Sequence, residues 1–120
     1  MDLRRCLLEG EKEILFHNEG QELVSSVEFH EYDPNTGRFS ANGKDKYGDF
    51  DIVGTIDDEK VDFQKLYENY KVNSYCNPIR KNFSYKGLCS EDSRSLNFSG
   101  EWKEITGVMP DCGKWEMFLN

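Results

Sequence analysis

Alternating apolar and polar residues between positions 43 and 67 constrain the fold of this chain more than any other feature. Two successive runs place their inward candidates at Phe50, Ile52, Gly54 and Ile56, then at Val61, Phe63, Lys65 and Tyr67. A period of two is typical of a β-strand with one buried face. The short acidic turn at residues 57–60 predicts that the two strands are antiparallel neighbours.

The same alternation continues along the chain and predicts up to eight strands. Residues 33–37 are a predicted turn, because Pro34 presets one φ angle and Gly37 accepts a positive one. The first strand is the least regular, since residues 3–15 would also suit a short helix. Residues 68–81 break the alternation and are predicted to be the longest irregular connection.

Most aromatic residues fall on one face of these strands. Eleven of the 16 have the inward parity: Phe16, Phe29, Phe39, Phe50, Phe63, Tyr67, Phe83, Tyr85, Phe98, Trp102 and Trp115. Glycines recur on the same parity, which permits strong coiling of a sheet. A sheet with one buried face closes most economically on itself, because closure removes its edges. We predict an all-β single domain over residues 1–120, an antiparallel up-and-down meander that closes into a roughly eight-stranded barrel.

Charge and hydropathy argue against several classes of function. The net charge is −8, from 23 acidic and 15 basic residues, and an acidic surface repels nucleic acids and anionic membranes. No apolar run approaches the roughly 18 residues that span a bilayer. The first ten residues hold too short an apolar stretch for a secretory leader. We therefore expect a cytoplasmic protein that binds neither nucleic acid nor membranes.

Neither the cysteines nor the histidines are spaced for a metal or catalytic site. The cysteines are Cys6, Cys76, Cys89 and Cys112. They form no Cys-x-x-Cys motif and have no nearby histidine. Cys76 and Cys89 would pair only under oxidising conditions. His30 has the outward parity and His17 lies at a strand end, so neither is placed as an enclosed base. We expect no metal, cofactor or catalytic residue.

Several short motifs resemble small calycin-type barrels of the lipocalin and avidin kind. Three of them are Leu8-Glu-Gly10-Glu, Phe98-Ser-Gly100-Glu-Trp102 and Gly113-Lys-Trp115-Glu-Met117. The fourth is the run from Gly43 to Tyr67 with its repeated glycines, and it resembles more closely an avidin-like barrel domain of poorly characterised function. The similarity spans roughly residues 23–117 and implies a barrel fold. It implies no ligand, because Gly10 lacks the following tryptophan of a first lipocalin strand and no biotin-site residue can be matched.

Lys65 is the strongest candidate for a functional residue. Its parity points it inward, where an ammonium group is costly unless it is paired. It could anchor a ligand or act as an amine nucleophile. It could also extend its head into water at the barrel mouth, or bridge to Asp45 or Glu31. The candidate ligand-binding interior is completed by Tyr67, Tyr85, Trp102 and Trp115.

Three functions are compatible with these residues. The leading interpretation is a non-enzymatic barrel that binds one small apolar ligand inside or a protein partner outside. A homodimer would use the outward apolar residues Leu66 and Phe118. An alternative is an isomerase or cyclase in which Lys65 and a tyrosine act as acid and base. The third is a structural module with a filled core.

Overall fold

The computed structural model describes residues 11–18, 21–71, 77–91, 96–105 and 112–119. The strands found there are β1 (Glu11–Asn18), β2 (Gln21–Tyr32), β3 (Arg38–Asp45), β4 (Gly48–Asp57), β5 (Lys60–Tyr70), β6 (Ile79–Glu91), β7 (Leu96–Glu104) and β8 (Cys112–Leu119). Each strand pairs antiparallel with the next one in the chain. The predicted all-β class and antiparallel meander are confirmed, and the sheet is strongly curled.

The helix considered for residues 3–15 is excluded where the structure describes that segment. Residues 11–15 belong to β1 and pair with β2 from Glu11 opposite Glu28 to Leu15 opposite Val24. Residues 1–10 lie outside the described part. In the described residues, no helix is long and apolar enough to cross a membrane.

The concave face of the sheet carries the core, as the alternation predicts. In β5, buried residues alternate with exposed ones from Val61 to Tyr67. Ten of the eleven aromatic residues assigned inward are buried, and the side chain of Phe16 lies outside the described part. In β2 to β8, the period-two pattern therefore identified the buried face correctly.

The turn between β2 and β3 forms as expected. The backbone N–H of Gly37 donates to the carbonyl of Asp33 at 2.7 Å, and the N–H of Asn35 donates to the Asp33 carboxylate at 2.9 Å. Gly37 has a φ of 76°, and a Cβ there would collide with the carbonyl of Ile56. Glycine is therefore required for both its conformation and its lack of a side chain.

Two sequence predictions are wrong in detail. The irregular connection predicted for residues 68–81 is shorter, since β5 continues to Tyr70 and β6 begins at Ile79. A register shift between Tyr67 and Tyr70 absorbs the break in alternation without ending the strand. Leu66 was expected to be exposed but is half-buried. Among the residues whose side chains are described, the exposed large apolar ones are Val24, Val53, Ile79, Leu88 and Ile105, and the side chain of Phe118 lies outside that part.

Candidate functional site

Lys65 lies on the concave face of β5 with only 2% of its surface exposed. Its position follows from the strand parity that buries Val61, Phe63 and Tyr67. Its Nζ lies 3.9 Å from Oδ2 of Asp45, whose side chain is also withdrawn from solvent. The bridge to Asp45 is the alternative that the structure supports, and an ammonium extended into water at the mouth is excluded.

Asp45 is the acceptor around which the polar groups gather. Its Oδ2 accepts hydrogen bonds from the hydroxyl of Tyr67 and, at 3.1 Å, from Oγ of the fully buried Ser25. Its Oδ1 accepts from the backbone N–H of Tyr47 at 2.9 Å, which closes the turn between β3 and β4. Asp45 is thus both the turn residue that the sequence suggested and the partner of Lys65. We call Ser25, Asp45, Lys65 and Tyr67 the Lys65 cluster.

Four aromatic rings surround the ammonium of Lys65. Nζ lies 4.7 Å from the ring centroid of Phe50, 5.0 Å from Tyr67, 5.2 Å from Tyr85 and 5.8 Å from Phe83. All four distances are within the range of cation–π attraction. Because they are contact distances, the rings and the ammonium leave no space between them for a ligand.

Burial shifts the titration of the groups in this cluster. Desolvation lowers the pKa of Lys65 to about 7, and the nearby Asp45 carboxylate opposes that shift. Burial raises the pKa of Tyr67, and the charge and hydrogen bond of Asp45 raise it further. Burial also raises the pKa of Tyr85, with smaller contributions from Asp45 and Tyr70. At neutral pH both tyrosines are therefore held as neutral phenols, while Lys65 is close to its midpoint.

A second lysine–carboxylate pair lies at the same end of the sheet. Nζ of Lys81 is 3.2 Å from Oε1 of Glu104, which is 5% exposed. The same ammonium lies 4.7 Å from the ring centroid of Tyr70. Tyr70 in turn stacks on Tyr47 with centroids 4.8 Å apart. We call the half-buried pair Tyr47 and Tyr70, with Lys81 and Glu104, the rim cluster.

The two tryptophans predicted to complete the interior have different aromatic neighbours. Trp115 contacts Phe63 and Tyr85, with ring centroids 5.1 and 5.9 Å away, and its indole N–H donates to the carbonyl of Lys86 at 3.3 Å. Trp102 contacts Phe83 at 5.8 Å instead. Lys65, Tyr67 and Tyr85 are thus brought together, whereas the two tryptophans pack against different rings.

Sequence reasoning missed two members of these clusters that had a detectable signal. Ser25 shares its parity with Val27, and Glu104 shares its parity with Trp102. Buried partners of that kind are what a buried lysine requires. Tyr47 and Tyr70 had no such signal, because they flank a turn and a register shift, where parity is lost.

The histidine and cysteine predictions can be checked only in part. His30 is exposed and its Nε2 lies 2.7 Å from Oδ1 of Asn42, consistent with its outward parity. Cys89 is buried, whereas Cys76 lies outside the described part. Within the described segments, no three His, Cys, Asp or Glu side chains gather in a metal-binding arrangement.

No protein-family model matches the chain, and no curated protein shows significant similarity to it.

Proposed function

We propose that the chain is a non-enzymatic binding module, an eight-stranded barrel of the calycin or avidin-like kind that acts in the cytoplasm. Four residue pairs between β1 and β8, from Ile14 with Met117 to His17 with Lys114, support closure of the curled sheet. Its ligand would be one small, uncharged and mainly apolar molecule. The observation that carries this proposal is the Lys65–Asp45 pair enclosed by aromatic rings.

The cost of that pair favours a functional role. Two buried charges lose hydration that their attraction only partly returns, and apolar replacements of similar volume are often as stable. A lysine with a strongly shifted pKa in an enclosed, aromatic environment is characteristic of a binding or catalytic site. The other concave positions of β5 are apolar or aromatic, so Lys65 interrupts an otherwise ordinary core.

The charges and the packing define the ligand class and its place. Asp45 lies beside Lys65 and Glu104 lies beside Lys81, so neither cluster presents a ligand with a charge that lacks a counter-charge. A charged ligand would therefore add an unbalanced charge to a poorly hydrated region. Since the rings fill the space around Lys65, the ligand would lie over the half-buried stack of Tyr47 and Tyr70 and contact the Lys65 cluster from that side.

The two alternative functions have weaker support. As an acid or base near neutral pH, neither Tyr67 nor Tyr85 is suitable, because burial moves each pKa away from neutrality. A purely structural module agrees with the dense ring contacts, including the stack of Phe63 on Tyr85 at 4.6 Å. It offers no reason, however, for a buried lysine in that core.

The proposal is tested by native mass spectrometry of protein purified from its own source, followed by NMR titration with the released compound. If nothing is retained, a set of uncharged aromatic and alicyclic compounds is titrated instead. We expect shifts in the amide resonances of Tyr47, Tyr70 and Lys81, and weaker binding in Lys65→Met. Lys60→Met is the matched control, since Lys60 is exposed at the start of β5.

Absence of any retained compound together with absence of NMR shifts would overturn the proposal in favour of the structural module. If Lys65→Met and Lys60→Met bind the compound equally well, the Lys65 cluster is not part of the binding site. The same mass spectra report whether the chain forms a homodimer.

A further inference from the structure

Trp102 carries a buried hydrogen-bond donor that no group in the described part of the chain accepts from. It lies on the concave face of β7 with 8% of its surface exposed. Its indole N–H is withdrawn from solvent and, among the described residues, has no hydrogen-bond partner. An unpaired buried donor destabilises a fold, so most such groups in proteins are bonded to a protein group, a water or a ligand.

Trp115 shows that this sheet can satisfy such a donor. Both tryptophans lie on the concave face, and each has a glycine opposite it in the neighbouring strand, Gly113 for Trp102 and Gly100 for Trp115. The indole N–H of Trp115 nevertheless donates to the backbone carbonyl of Lys86 at 3.3 Å. Within the described part of the chain, the unpaired indole is therefore specific to the position of Trp102 and is not a general result of burying a tryptophan.

Trp102 lies at the end of the sheet that holds the rim cluster. It is two residues before Glu104 on the same face of β7, and Glu104 pairs with Lys81. Its ring centroid is 5.8 Å from that of Phe83, which is in turn 6.1 Å from that of Tyr70. The Phe83 ring thus links Tyr70 of the rim cluster to Trp102. A molecule that lies over the rim cluster needs to extend past only this ring to reach the indole.

We propose that Trp102 is a binding residue of this concave site, and that the ligand is an uncharged carbonyl compound whose oxygen accepts a hydrogen bond from the indole N–H. This inference rests on the function proposed above and specifies its ligand. An acceptor is required because an indole N–H can only donate. A carbonyl oxygen accepts without carrying a charge, whereas a carboxylate would add an unbalanced charge to a poorly hydrated region. Gly113, opposite Trp102, has no side chain that could compete for this place.

NMR titrations of the full chain with acetophenone and with α-methylstyrene test the acceptor. The two compounds share an aromatic ring and nearly the same shape, but in α-methylstyrene a methylene group replaces the carbonyl oxygen. We expect acetophenone to move the indole N–H resonance of Trp102 downfield, with saturation, and to slow the exchange of this proton for solvent deuterium. α-Methylstyrene should shift the amide resonances of Tyr70 and Lys81 without either effect on the indole.

Trp102→Phe removes the donor and keeps an aromatic ring beside Phe83. In this variant the affinity for acetophenone relative to α-methylstyrene should fall about fivefold, the effect of losing one hydrogen bond. Because the ratio is compared with that of the parent chain, the different hydration of the two compounds cancels. Trp115→Phe is the matched control, since the N–H of Trp115 already donates to Lys86, and it should keep the parent ratio.

Two results would overturn this inference and leave the proposed function in place. One is that both compounds shift the amides of Tyr47, Tyr70 and Lys81 but acetophenone leaves the indole N–H of Trp102 unchanged. The other is that Trp102→Phe keeps the parent ratio of affinities. Absence of any shift with these compounds and with the set titrated above would overturn the proposed function and this inference together. The dispersion of the amide spectrum verifies that each variant folds, and if Trp102→Phe does not fold, the indole resonance of the parent chain decides.

Discussion

The hydroxyl of Tyr67 donates a hydrogen bond to Oδ2 of Asp45, 22 residues earlier in the chain. This contact joins the end of β3 to the middle of β5 across β4, and it fixes the carboxylate beside Lys65. The Asp45 carboxylate therefore has donors from a tyrosine, a serine and the backbone in addition to the ammonium. Asp45 would therefore keep three hydrogen-bond donors if the Lys65 ammonium were removed.

Asp45→Asn should destabilise the fold more than Lys65→Met at neutral pH. Loss of the carboxylate removes the charged acceptor of the Tyr67 and Ser25 hydroxyls, and a hydrogen bond to a charged group contributes about 1.5–3 kcal/mol. Loss of the ammonium leaves Asp45 with three hydrogen-bond donors. Urea unfolding of both single variants and of the double variant measures the difference and the coupling. A larger loss for Lys65→Met would show that the ammonium, and not the hydrogen bonds, stabilises Asp45.

The free energy of unfolding should rise with pH from about 7 towards about 10. The pKa of Lys65 is lowered from 10.5 to about 7 in the folded chain. Between these values the unfolded chain binds a proton that the folded chain does not, so higher pH favours folding. The stability gained in this way is complete above the pKa of Lys65 in the unfolded chain, and it is lost as the pH falls through the pKa of Lys65 in the folded chain.

Lys65→Met isolates this effect, because the difference in stability between it and the parent chain should change across that pH window. Lys60→Met should show a constant difference from the parent chain. Urea unfolding at about pH 6.5, 8 and 9.5 provides the test. A parallel pH profile for Lys65→Met would mean that Lys65 keeps its ordinary pKa.

Above pH 10 the trend should reverse. The pKa values of Tyr67 and Tyr85 are raised by burial, so in the folded chain both phenols keep protons that the unfolded chain releases near pH 10. Folding then opposes ionisation, and stability falls. Absorbance of tyrosinate during an alkaline titration should show at least two tyrosines that ionise only when the chain unfolds.

Tyr67→Phe should cost about 1.5–3 kcal/mol, the range for a hydrogen bond to a charged acceptor. Tyr47→Phe is the matched control, since among the described contacts its ring stacks on Tyr70 and its hydroxyl makes no hydrogen bond. The control should change stability by less than about 0.5 kcal/mol. Thermal and urea unfolding give both values, and equal losses would contradict the special role of the Tyr67 hydroxyl.

Gly37→Ala and Gly37→Asn should both destabilise the chain by more than about 1 kcal/mol. Asparagine tolerates a positive φ, but its Cβ would meet the carbonyl of Ile56 as alanine's would. The pair of variants therefore separates backbone strain from the steric contact. Recovery of stability in Gly37→Asn would show that only the φ angle of 76° matters.

The inward position of Lys65 could be predicted because the period-two rule needs no information beyond the neighbouring residues. Asp45 was one of the two carboxylates that the sequence offered as a partner for Lys65. Which of the candidate carboxylates, Asp45 or Glu31, would reach Lys65 depended on the register between β3, β4 and β5. Register depends on both strands of a pair, so the sequence of one strand alone does not specify it.

The amino-acid sequence by itself determined the antiparallel meander, the buried face of strands β2 to β8 and the glycine turn at residue 37. These features depend on local alternation and on φ angles, which a short segment specifies. Only the tertiary structure brought Asp45 to Lys65, stacked Tyr47 on Tyr70, and placed Glu104 beside Lys81. Each of these contacts joins residues that are far apart in the chain, so its formation depends on how the sheet curls and on the register in which its strands pair.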